Sequence, residues 1–285
     1  MAQNWADETT ERVINKGLLE GGICLILGPT DTGKTTLAAS LAGYLCKSHS
    51  VGIVDADVGQ SHIGPPATVG WALVESRKVD FSQLIWGGIS FVGDVSPVGH
   101  LLQFTAAVVQ CVQQLSGTAE IIIVDTPGFI FGPAANALWW TAQRILQPGL
   151  ILAVQRGNEM SGVLAGLKFT GVQLELINFP LQMPVKSPQE RQSYRQSQFD
   201  RYFRDACLYD INLNNVAVQM NQNLDCRNLI NRVVALRDGK GIDKAVGLIT
   251  DWKEEKNIVV IKAPRIDIQQ VCYIIVGDVS IDVGG

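Results

Sequence analysis

Residues 28–36 read Gly-Pro-Thr-Asp-Thr-Gly-Lys-Thr-Thr, and this segment constrains the fold more than any other part of the chain. Gly28, Gly33, Lys34 and Thr35 fill the pattern G-x-x-x-x-G-K-[ST], with an apolar run before it and a helical run after it. The glycines let successive N–H groups point at one spot, where the N-terminus of a helix favours an anion. The segment therefore predicts a loop that binds the phosphates of a nucleotide.

Each part of this loop has an expected role. Backbone N–H groups hold the β-phosphate, the Lys34 ammonium contacts the β- and γ-phosphates, and the Thr35 hydroxyl binds Mg²⁺. We therefore expect a triphosphate such as ATP, with Mg²⁺, as the cofactors. The residues expected to contact the nucleotide are Gly28, Pro29, Thr30, Asp31, Thr32, Gly33, Lys34, Thr35 and Thr36.

Apolar runs alternate with helical patterns through the first 180 residues. This alternation predicts an α/β fold, a P-loop NTPase with a doubly wound, mostly parallel sheet. From about Ala206 onward, short strand-like runs such as Ile211–Met220 are separated by turn signals such as Gly277-Asp278, which predicts a small β-barrel or sandwich. We expect an N-terminal extension at 1–20, a P-loop domain at 21–205 and a C-terminal β-rich domain at 206–285.

Composition excludes several classes of protein. Hydrophobic residues make up 47% of the 285 residues, which is typical of a globular protein with a buried core. The net charge is −4, so non-specific nucleic-acid binding would need a local basic patch. No apolar run is long enough to span a bilayer, and residues 1–20 lack the apolar core of a signal peptide. Six cysteines without CxxC spacing read as buried free thiols, so we expect a cytoplasmic protein without membrane contact.

Two aspartates follow the second apolar strand. Asp55 comes where that strand ends and Asp57 lies two residues further on. The carboxyl ends of parallel strands converge on the ligand crevice, where carboxylates hold Mg²⁺ or accept a proton from an attacking hydroxyl. We assign Asp55 to the metal and Asp57 to the base or the positioning of the nucleophile, and the two assignments are interchangeable at this point.

A third strand end leaves the reaction class open. Residues 121–128 read Ile-Ile-Ile-Val-Asp-Thr-Pro-Gly, and an Asp-x-x-Gly segment of this kind senses the γ-phosphate in GTPases. Guanine-specific GTPases usually carry Asn-Lys-x-Asp after a late strand, whereas Asn178 here is followed by Phe-Pro. This counts against guanine specificity without excluding a GTPase.

The segment around residue 190 favours phosphoryl transfer. Ser187-Pro188-Gln189-Glu190 is a capping box with proline at the first helical position, which predicts a helix over about 187–204. Arg191 and Arg195 are four residues apart and share one face of that helix. Two arginines on one face suit a phosphoryl group in transfer, although a solvated amphipathic helix is the alternative.

Taken together, these motifs resemble the polynucleotide 5′-hydroxyl kinases of the Clp1, Grc3 and Nol9 type, including their shorter archaeal relatives. The segments that carry the resemblance are 28–36, 55–60 with 64–66, 91–100, 125–128, and the R-x-x-x-R pair Arg191 and Arg195. The resemblance extends over nearly the whole chain from about Gly21 and includes the β-rich C-terminal part. The order of five separate motifs makes it more specific than the phosphate loop alone.

The resemblance implies transfer of the ATP γ-phosphate to the 5′-hydroxyl of RNA or DNA, with Lys34, Asp57, Arg191 and Arg195 as catalytic residues. It further implies that Gln60, Thr126 and Gly128 bind substrate. His100 is expected to cap or pack at a helix start, and Trp86 is expected in the core although it could stack on a base. Phe129 stands where a tryptophan is common in the family.

Two other functions remain open at this point. A GTPase-like switch that binds a protein partner is compatible with Asp125–Gly128, and nucleotide competition separates it from a kinase. A non-catalytic scaffold in RNA processing would keep ATP as a structural ligand. Protein partners cannot be named from the sequence.

Overall fold

The structure, a computed structural model, describes residues 2–19, 21–182, 184–220 and 229–281. Six α-helices lie in these residues: α1 (Ala2–Asn15), α2 (Lys34–Leu45), α3 (Leu101–Leu115), α4 (Gly132–Leu146), α5 (Ser161–Leu167) and α6 (Pro188–Tyr202). The first eight strands are β1 (Gly22–Leu27), β2 (Val51–Asp55), β3 (Thr68–Leu73), β4 (Trp86–Phe91), β5 (Ile121–Asp125), β6 (Leu150–Gln155), β7 (Gln173–Asn178) and β8 (Cys207–Asn212). The others are β9 (Ala217–Gln219), β10 (Arg232–Asp238), β11 (Asp243–Lys253), β12 (Ile258–Ala263) and β13 (Val271–Ser280).

The strands of the described residues form one sheet, and its first part is parallel. Strands β7, β6, β1, β5 and β2 lie side by side in that order, and every neighbouring pair among them is parallel. β3 and β4 then continue the sheet in antiparallel pairs. The carboxyl ends of β1, β2 and β5 therefore meet at one edge, which is where the phosphate loop and both acidic strand ends lie.

Helices cover both faces of the parallel part. α3, α4 and α5 bury apolar side chains against one face, and α1 and α2 bury theirs against the other. α1 is tied to α2 by polar contacts as well, because Thr10 Oγ1 donates to Ser40 Oγ at 2.9 Å and Ser40 Oγ donates to Asp7 Oδ1 at 2.7 Å. Residues 2–15 thus pack as a layer on the parallel part of the sheet, while the domain limits at residues 20 and 205 stay predictions.

The C-terminal strands extend the same sheet. β11 pairs with β4 through Asp243 and Ile89, and β10, β13, β12 and β8 build an antiparallel region around their own apolar core. A separate cluster, in which Phe91 of β4 and Phe199 of α6 meet Val246 of β11, joins the two regions. The predicted α/β fold with a β-rich C-terminal part is confirmed.

Two details of the predicted C-terminal strands were wrong. The run Ile211–Met220 was expected as one strand, but a turn with Asn215 N donating to Asn212 O at 3.0 Å separates β8 from β9. The turn expected at Gly277-Asp278 lies inside β13 instead. Gly277 serves close packing there, because a Cβ at this position would lie 2.7 Å from the Gly93 carbonyl oxygen.

Side-chain exposure corrects two further expectations. Trp86 was expected in the core but is 43% exposed, since it begins β4 at the rim of the sheet. Cys24 and Cys111 are buried free thiols as predicted, whereas Cys272 is exposed and Cys226 lies outside the described residues. In the described part of the chain, no helix combines the length and apolar character needed to cross a membrane.

Candidate active site

The phosphate loop connects β1 to α2 and is shaped by close approaches to its neighbours. Gly33 precedes α2 with a φ of 71°, a conformation that glycine adopts without steric cost. A Cβ at Gly33 would lie 2.6 Å from the Phe179 ring and 3.0 Å from the Trp5 ring. A Cβ at Gly28 would overlap the carbonyl oxygen of Val154. A side chain at either glycine of the motif would collide with its neighbours. At Gly33 the positive φ also disfavours any residue other than glycine.

Lys34 lies at the first position of α2 and is almost fully buried. Its exposed fraction is 6%, and its Nζ donates to the carbonyl oxygen of Pro29 at 2.7 Å. Burial lowers the pKa of Lys34, while the carboxylates of Asp125, Asp57 and Asp31 act in the opposite direction. The ammonium is thus held inside the loop, with acidic groups around it.

Thr35, expected to bind the metal together with Asp55, is instead hydrogen-bonded to Asp125. Thr35 Oγ1 donates to Asp125 Oδ2 at 2.5 Å, while Asp125 Oδ1 is buried and has no hydrogen-bond partner in the structure. Burial raises the pKa of Asp125 to about 7, and the neighbouring Asp55 adds to this effect. A hydroxyl beside a carboxylate oxygen without a partner fits Mg²⁺, which binds proteins through one or two carboxylates and takes its other ligands from phosphates and water.

Asp55, assigned to the metal from the sequence, is engaged by the backbone. Its Oδ2 accepts from His62 N at 2.6 Å and from Ile63 N at 3.0 Å, and its Oδ1 accepts from Asp57 N at 3.2 Å. The side chain is fully buried, and burial raises its pKa to about 7. Asp55 pairs in register with Asp125 on the adjacent strand, so the two residues lie side by side. Asp55 shapes the loop that follows β2.

Asp57 and Gln60 lie in that loop, next to the phosphate loop. Asp57 Oδ1 accepts from Gly59 N at 3.1 Å and from Gln60 N at 3.0 Å. Asp57 Oδ2 makes no hydrogen bond with the described residues and is available to a ligand. Gln60 Oε1 accepts from Lys186 Nζ at 2.9 Å. The two residues line the same cavity as Lys34.

The helix predicted over about 187–204 is α6, and its capping box is present. Glu190 N donates to Ser187 Oγ at 3.2 Å and Ser187 N donates to Glu190 Oε2 at 2.6 Å. Arg191 Nη2 donates to Asp31 Oδ2 at 2.7 Å, so the helix meets the phosphate loop. Arg191 Nε is buried without a partner, and Arg195 one turn further on makes no ion pair with the described residues.

Thr126 and Gly128, predicted to bind substrate, have different surroundings. The Thr126 side chain is buried and its Oγ1 donates to the Ile26 carbonyl oxygen at 2.7 Å, which ties the end of β5 to β1. Gly128 touches the phosphate loop, because a Cβ there would lie 2.5 Å from Thr30 N. Gly128 thus lets two loops approach each other, and Thr126 supports the sheet beneath them.

Three residues of the site were not predicted from the sequence. Lys186 reaches Gln60 with its ammonium and also donates its backbone N–H to Asp31 Oδ2 at 3.1 Å. Tyr194 donates its hydroxyl to the Ser61 carbonyl oxygen at 3.1 Å, and its ring centroid lies 5.6 Å from that of His62. Burial lowers the pKa of His62. Their only sequence signal was their position beside the motif at 55–60 and the pair Arg191 and Arg195.

A cavity of about 500 Å³, the phosphate cavity, lies beside the phosphate loop and the loop that follows β2. Lys34, Thr35, Asp57, Gln60 and His62 line it together with Phe179 and Lys186. A larger cavity of about 800 Å³ lies between α3 and β13 and includes none of the phosphate-loop residues. His100 lines that second cavity at the start of α3, where its Nε2 lies 3.1 Å from Asp278 Oδ2. The phosphate cavity thus brings together Lys34, Thr35, Asp57 and Gln60, whereas Asp125, Arg191 and Arg195 are not among its described lining residues.

The chain matches a known protein family. The family model described as mRNA cleavage and polyadenylation factor CLP1 P-loop matches residues 28–205. The matched range begins at the phosphate loop and ends after α6, so it includes every motif assigned to the site.

Several named relatives match a similar part of the chain. A polyribonucleotide 5′-hydroxyl-kinase of Pyrococcus horikoshii is 30% identical over 195 residues, which is 68% of this chain and 53% of the relative. The enzyme of the same name from Methanocaldococcus jannaschii is 30% identical over 195 residues, 68% of this chain and 54% of the relative. A protein CLP1 homolog of Anopheles gambiae is 42% identical over 74 residues, 25% of this chain and 18% of the relative. The chain spans about half the length of the archaeal relatives it matches.

The fold is also found among solved structures. The structure of a wild-type Clp1p–Pcf11p complex aligns with a TM-score of 0.71 over 96% of this chain and 77% of that chain, at 13% identity. At this identity the likeness concerns the fold, and it includes the C-terminal strands as well as the P-loop part.

Proposed function

Because the chain belongs to the CLP1 P-loop family, we propose that it transfers the γ-phosphoryl group of ATP to the 5′-hydroxyl of an RNA strand. The archaeal relatives that are named polyribonucleotide 5′-hydroxyl-kinase support RNA as the acceptor, and DNA is the second acceptor to test. The observation that carries the proposal is the phosphate cavity, in which Lys34, Thr35 and Asp57 come together beside the helix with Arg191.

On the donor side, the phosphate loop holds the triphosphate. Its backbone N–H groups and the start of α2 bind the β-phosphate, and Lys34 exchanges the Pro29 carbonyl for phosphate oxygens. Thr35 and Asp125 are the proposed holders of Mg²⁺, with Asp125 in place of Asp55 because three amides already occupy the Asp55 oxygens. Mg²⁺ in this position would neutralise charge on the β- and γ-phosphate oxygens.

On the acceptor side, Asp57 is the proposed base. Its Oδ2 orients the 5′-hydroxyl and takes the proton as the new oxygen–phosphorus bond forms and the bond to the ADP oxygen breaks. Gly59 N and Gln60 N hold Oδ1, so the carboxylate keeps one orientation. Gln60 is proposed to position the acceptor through its side chain, which Lys186 fixes in place.

Arg191 and Arg195 complete the proposed site. Arg191 is held at the loop by Asp31, and its buried Nε retains an unused N–H donor. A guanidinium presents its donors in a planar fork that matches phosphate oxygens, so Arg191 and Arg195 suit the charge that develops during transfer. In this proposal α6 acts as the lid of the phosphate cavity.

A direct assay tests the kinase. Purified protein is incubated with ATP labelled on the γ-phosphate, Mg²⁺ and an oligoribonucleotide with a 5′-hydroxyl, and the same oligonucleotide with a 5′-phosphate serves as the control. We expect label on the 5′-hydroxyl strand alone. No transfer over a range of metals, temperatures and acceptors, DNA included, would contradict the proposal.

The metal assignment is tested separately by two matched substitutions. Asp125→Asn is expected to raise the Mg²⁺ concentration needed for half-maximal transfer by about tenfold or more, because a carboxylate ligand is lost. Asp55→Asn is expected to lower the melting temperature with a smaller change in Mg²⁺ requirement, because it weakens the loop after β2. The opposite pattern would return the metal to Asp55.

A nucleotide-binding scaffold is the second candidate. The aligned solved structure is a complex of Clp1p with Pcf11p, and the likeness in fold extends over 96% of this chain. A scaffold would bind ATP tightly without turnover and form a stable complex with a protein partner. Measuring the affinity for ATP and for GTP tests this candidate, and a preference for GTP over ATP would favour the third possibility, a GTPase-like switch.

A further inference from the structure

A second polar groove adjoins the phosphate cavity. It has a volume of about 340 Å³ and lies between the C-terminal half of α6, residues 82–86 and the C-terminal strands. We call it the basic groove, and its characteristic residues are Trp86, Arg201, Tyr202, Lys244 and Arg265. The α/β part and the β-rich part each supply one wall.

The charges of the groove contrast with those of the chain. Arg201, Lys244 and Arg265 line it, and among the described residues no carboxylate does, although the whole chain has a net charge of −4. Arg265 is exposed and makes no hydrogen bond or ion pair with the described residues. Three cations from three separate parts of the chain therefore converge on one concave surface.

The other two cations have partners that fix them without neutralising the groove fully. Lys244 Nζ lies 3.0 Å from Asp238 Oδ2, and Arg201 Nη2 donates to the Ser82 carbonyl oxygen at 3.2 Å. The carbonyl contact leaves the charge of Arg201 uncompensated. The groove consequently keeps a positive field that suits a polyanion.

Aromatic rings accompany these cations. Trp86 is 43% exposed, and its ring centroid lies 6.0 Å from that of Tyr202. Tyr202 is fixed in turn, because its hydroxyl oxygen accepts from Val246 N at 2.9 Å. An exposed indole backed by a fixed ring offers a flat surface for a nucleobase, and cations beside a stacking platform are the usual composition of a single-strand binding groove.

His62 connects the groove with the phosphate cavity. It lines both cavities, and Asp57 and Gln60 line the phosphate cavity with it. A strand lying in the groove would thus pass His62 as it enters the space that Asp57 shares with the nucleotide.

We propose that the basic groove binds the single-stranded RNA that follows the 5′-terminal nucleotide, with Arg201 and Arg265 contacting backbone phosphates and Trp86 stacking on a base. This inference rests on the proposed kinase function and adds a role for the C-terminal β-rich part. That part supplies Lys244 and Arg265 to the groove, so it takes part in the choice of acceptor.

Binding is measured first, by fluorescence anisotropy of a 5′-hydroxyl RNA of about 12 nucleotides at several salt concentrations. Arg265→Gln should reduce the slope of log affinity against log salt by about 0.7, the value for one phosphate contact on a single strand. Trp86→Ala should weaken binding by about tenfold with little change in that slope, because stacking carries no charge. Arg144→Gln, on an exposed arginine of α4, and Phe169→Ala, on an exposed phenylalanine, are the matched controls and should leave binding unchanged.

Transfer is measured next, as the ratio of kcat/KM for the longer acceptor to that for a dinucleotide. Arg265→Gln and Trp86→Ala should lower this ratio by about fivefold or more, while the control variants keep the wild-type ratio. A wild-type protein that phosphorylates both acceptors, with variants that change neither the salt slope nor the ratio, would overturn the groove and leave the kinase. RNA binding that loses salt slope in Arg265→Gln, with no transfer by the wild type, would support the groove and overturn the kinase.

Discussion

The two parts of the sheet treat their buried carboxyl groups in different ways. In the parallel part, Asp125 ends β5 with one oxygen accepting from Thr35 and the other without a hydrogen-bond partner among the described residues. In the antiparallel part, Asp243 begins β11, and Arg237 Nε donates to its Oδ1 at 2.7 Å while Phe91 N donates to its Oδ2 at 2.7 Å. The first carboxyl group is left open to a ligand, and the second is closed by the protein itself.

This difference indicates that Asp125 belongs to a ligand site, whereas Asp243 has a structural role between two parts of the sheet. A buried carboxyl group without a full set of partners is costly, so its presence at a strand end points to a ligand that completes it. A buried carboxyl group that is paired and hydrogen-bonded links two elements, and removing one partner is strongly destabilising. We therefore expect substitutions in the parallel part to affect transfer and substitutions at Asp243 to affect stability.

The largest effect is expected for Lys34→Ala. Transfer should fall by about 1000-fold, because the charge proposed to contact the β- and γ-phosphates is lost. The melting temperature should change little, because the Lys34 side chain donates to the Pro29 carbonyl, which water can replace as a partner. Initial rates and thermal melts check both, and Lys47→Ala, on an exposed lysine just after α2, is the control. A loss of transfer below about tenfold would remove Lys34 from the catalytic set.

Asp243→Ala should have the largest effect on stability. The free energy of unfolding should fall by about 3 kcal/mol, because Arg237 and Phe91 N lose their acceptor in a buried place. Urea denaturation measures it, with Asp251→Ala on the exposed part of the same strand as the control. An equal decrease in unfolding free energy in the two variants would show that the pair of Asp243 with Arg237 does not stabilise the fold more than an exposed residue does.

Arg191→Ala tests the lid. We expect kcat to fall by about 100-fold, because the guanidinium proposed to stabilise the developing charge is removed. Arg191→Lys should recover only part of the rate, since lysine keeps the charge without the planar fork. Steady-state kinetics with Arg204→Ala as a control on the same chain segment measure this. Full recovery in Arg191→Lys would show that charge alone is needed.

The smallest effect is expected for Lys186→Met. Its ammonium donates to Gln60 Oε1, so losing it should loosen Gln60 and raise the KM for the acceptor by about threefold with a nearly constant kcat. Acceptor titrations at saturating ATP measure the change. An unchanged KM for the acceptor, with a raised KM for ATP, would move Lys186 to the donor side of the site.

The sequence predicted the parallel part well because its signals are local. The phosphate loop, the buried strands and the capping box at Ser187 each arise from neighbouring residues, and β1, α2, β5 and α6 follow from them. β3 and β4 were not predicted, because Gly70 in β3 and Gly87 and Gly88 in β4 interrupt the alternation that marks a strand. The turn predicted at Gly277 was wrong because a glycine is needed there for close packing against Gly93, which lies far away in the sequence.

The site shows the same division between local and long-range information. Position at a strand end identified Asp55, Asp57 and Asp125 as a group, but not which oxygens the backbone would occupy. The amides of His62 and Ile63 fold back onto Asp55, and that depends on the path of the loop after β2. Arg265 and Trp86 meet across two regions, so no spacing rule joins them.

α6 is held at both of its ends, so a rotation at one end would displace the side chains at the other. The C-terminal end of α6 is fixed by Phe199 and Phe203, which lie in the apolar cluster between the two parts of the sheet and whose ring centroids are 6.3 Å apart. The N-terminal end contacts the phosphate loop through the ion pair of Arg191 with Asp31. About eight residues separate Arg191 from Phe199, a distance of about 12 Å at the rise of an α-helix. A pivot of about 10° at the aromatic end would swing Arg191 through about 2 Å, enough to exchange one hydrogen-bond partner for another. A displacement at the aromatic end of α6 would therefore change the distance between Arg191 and Asp31.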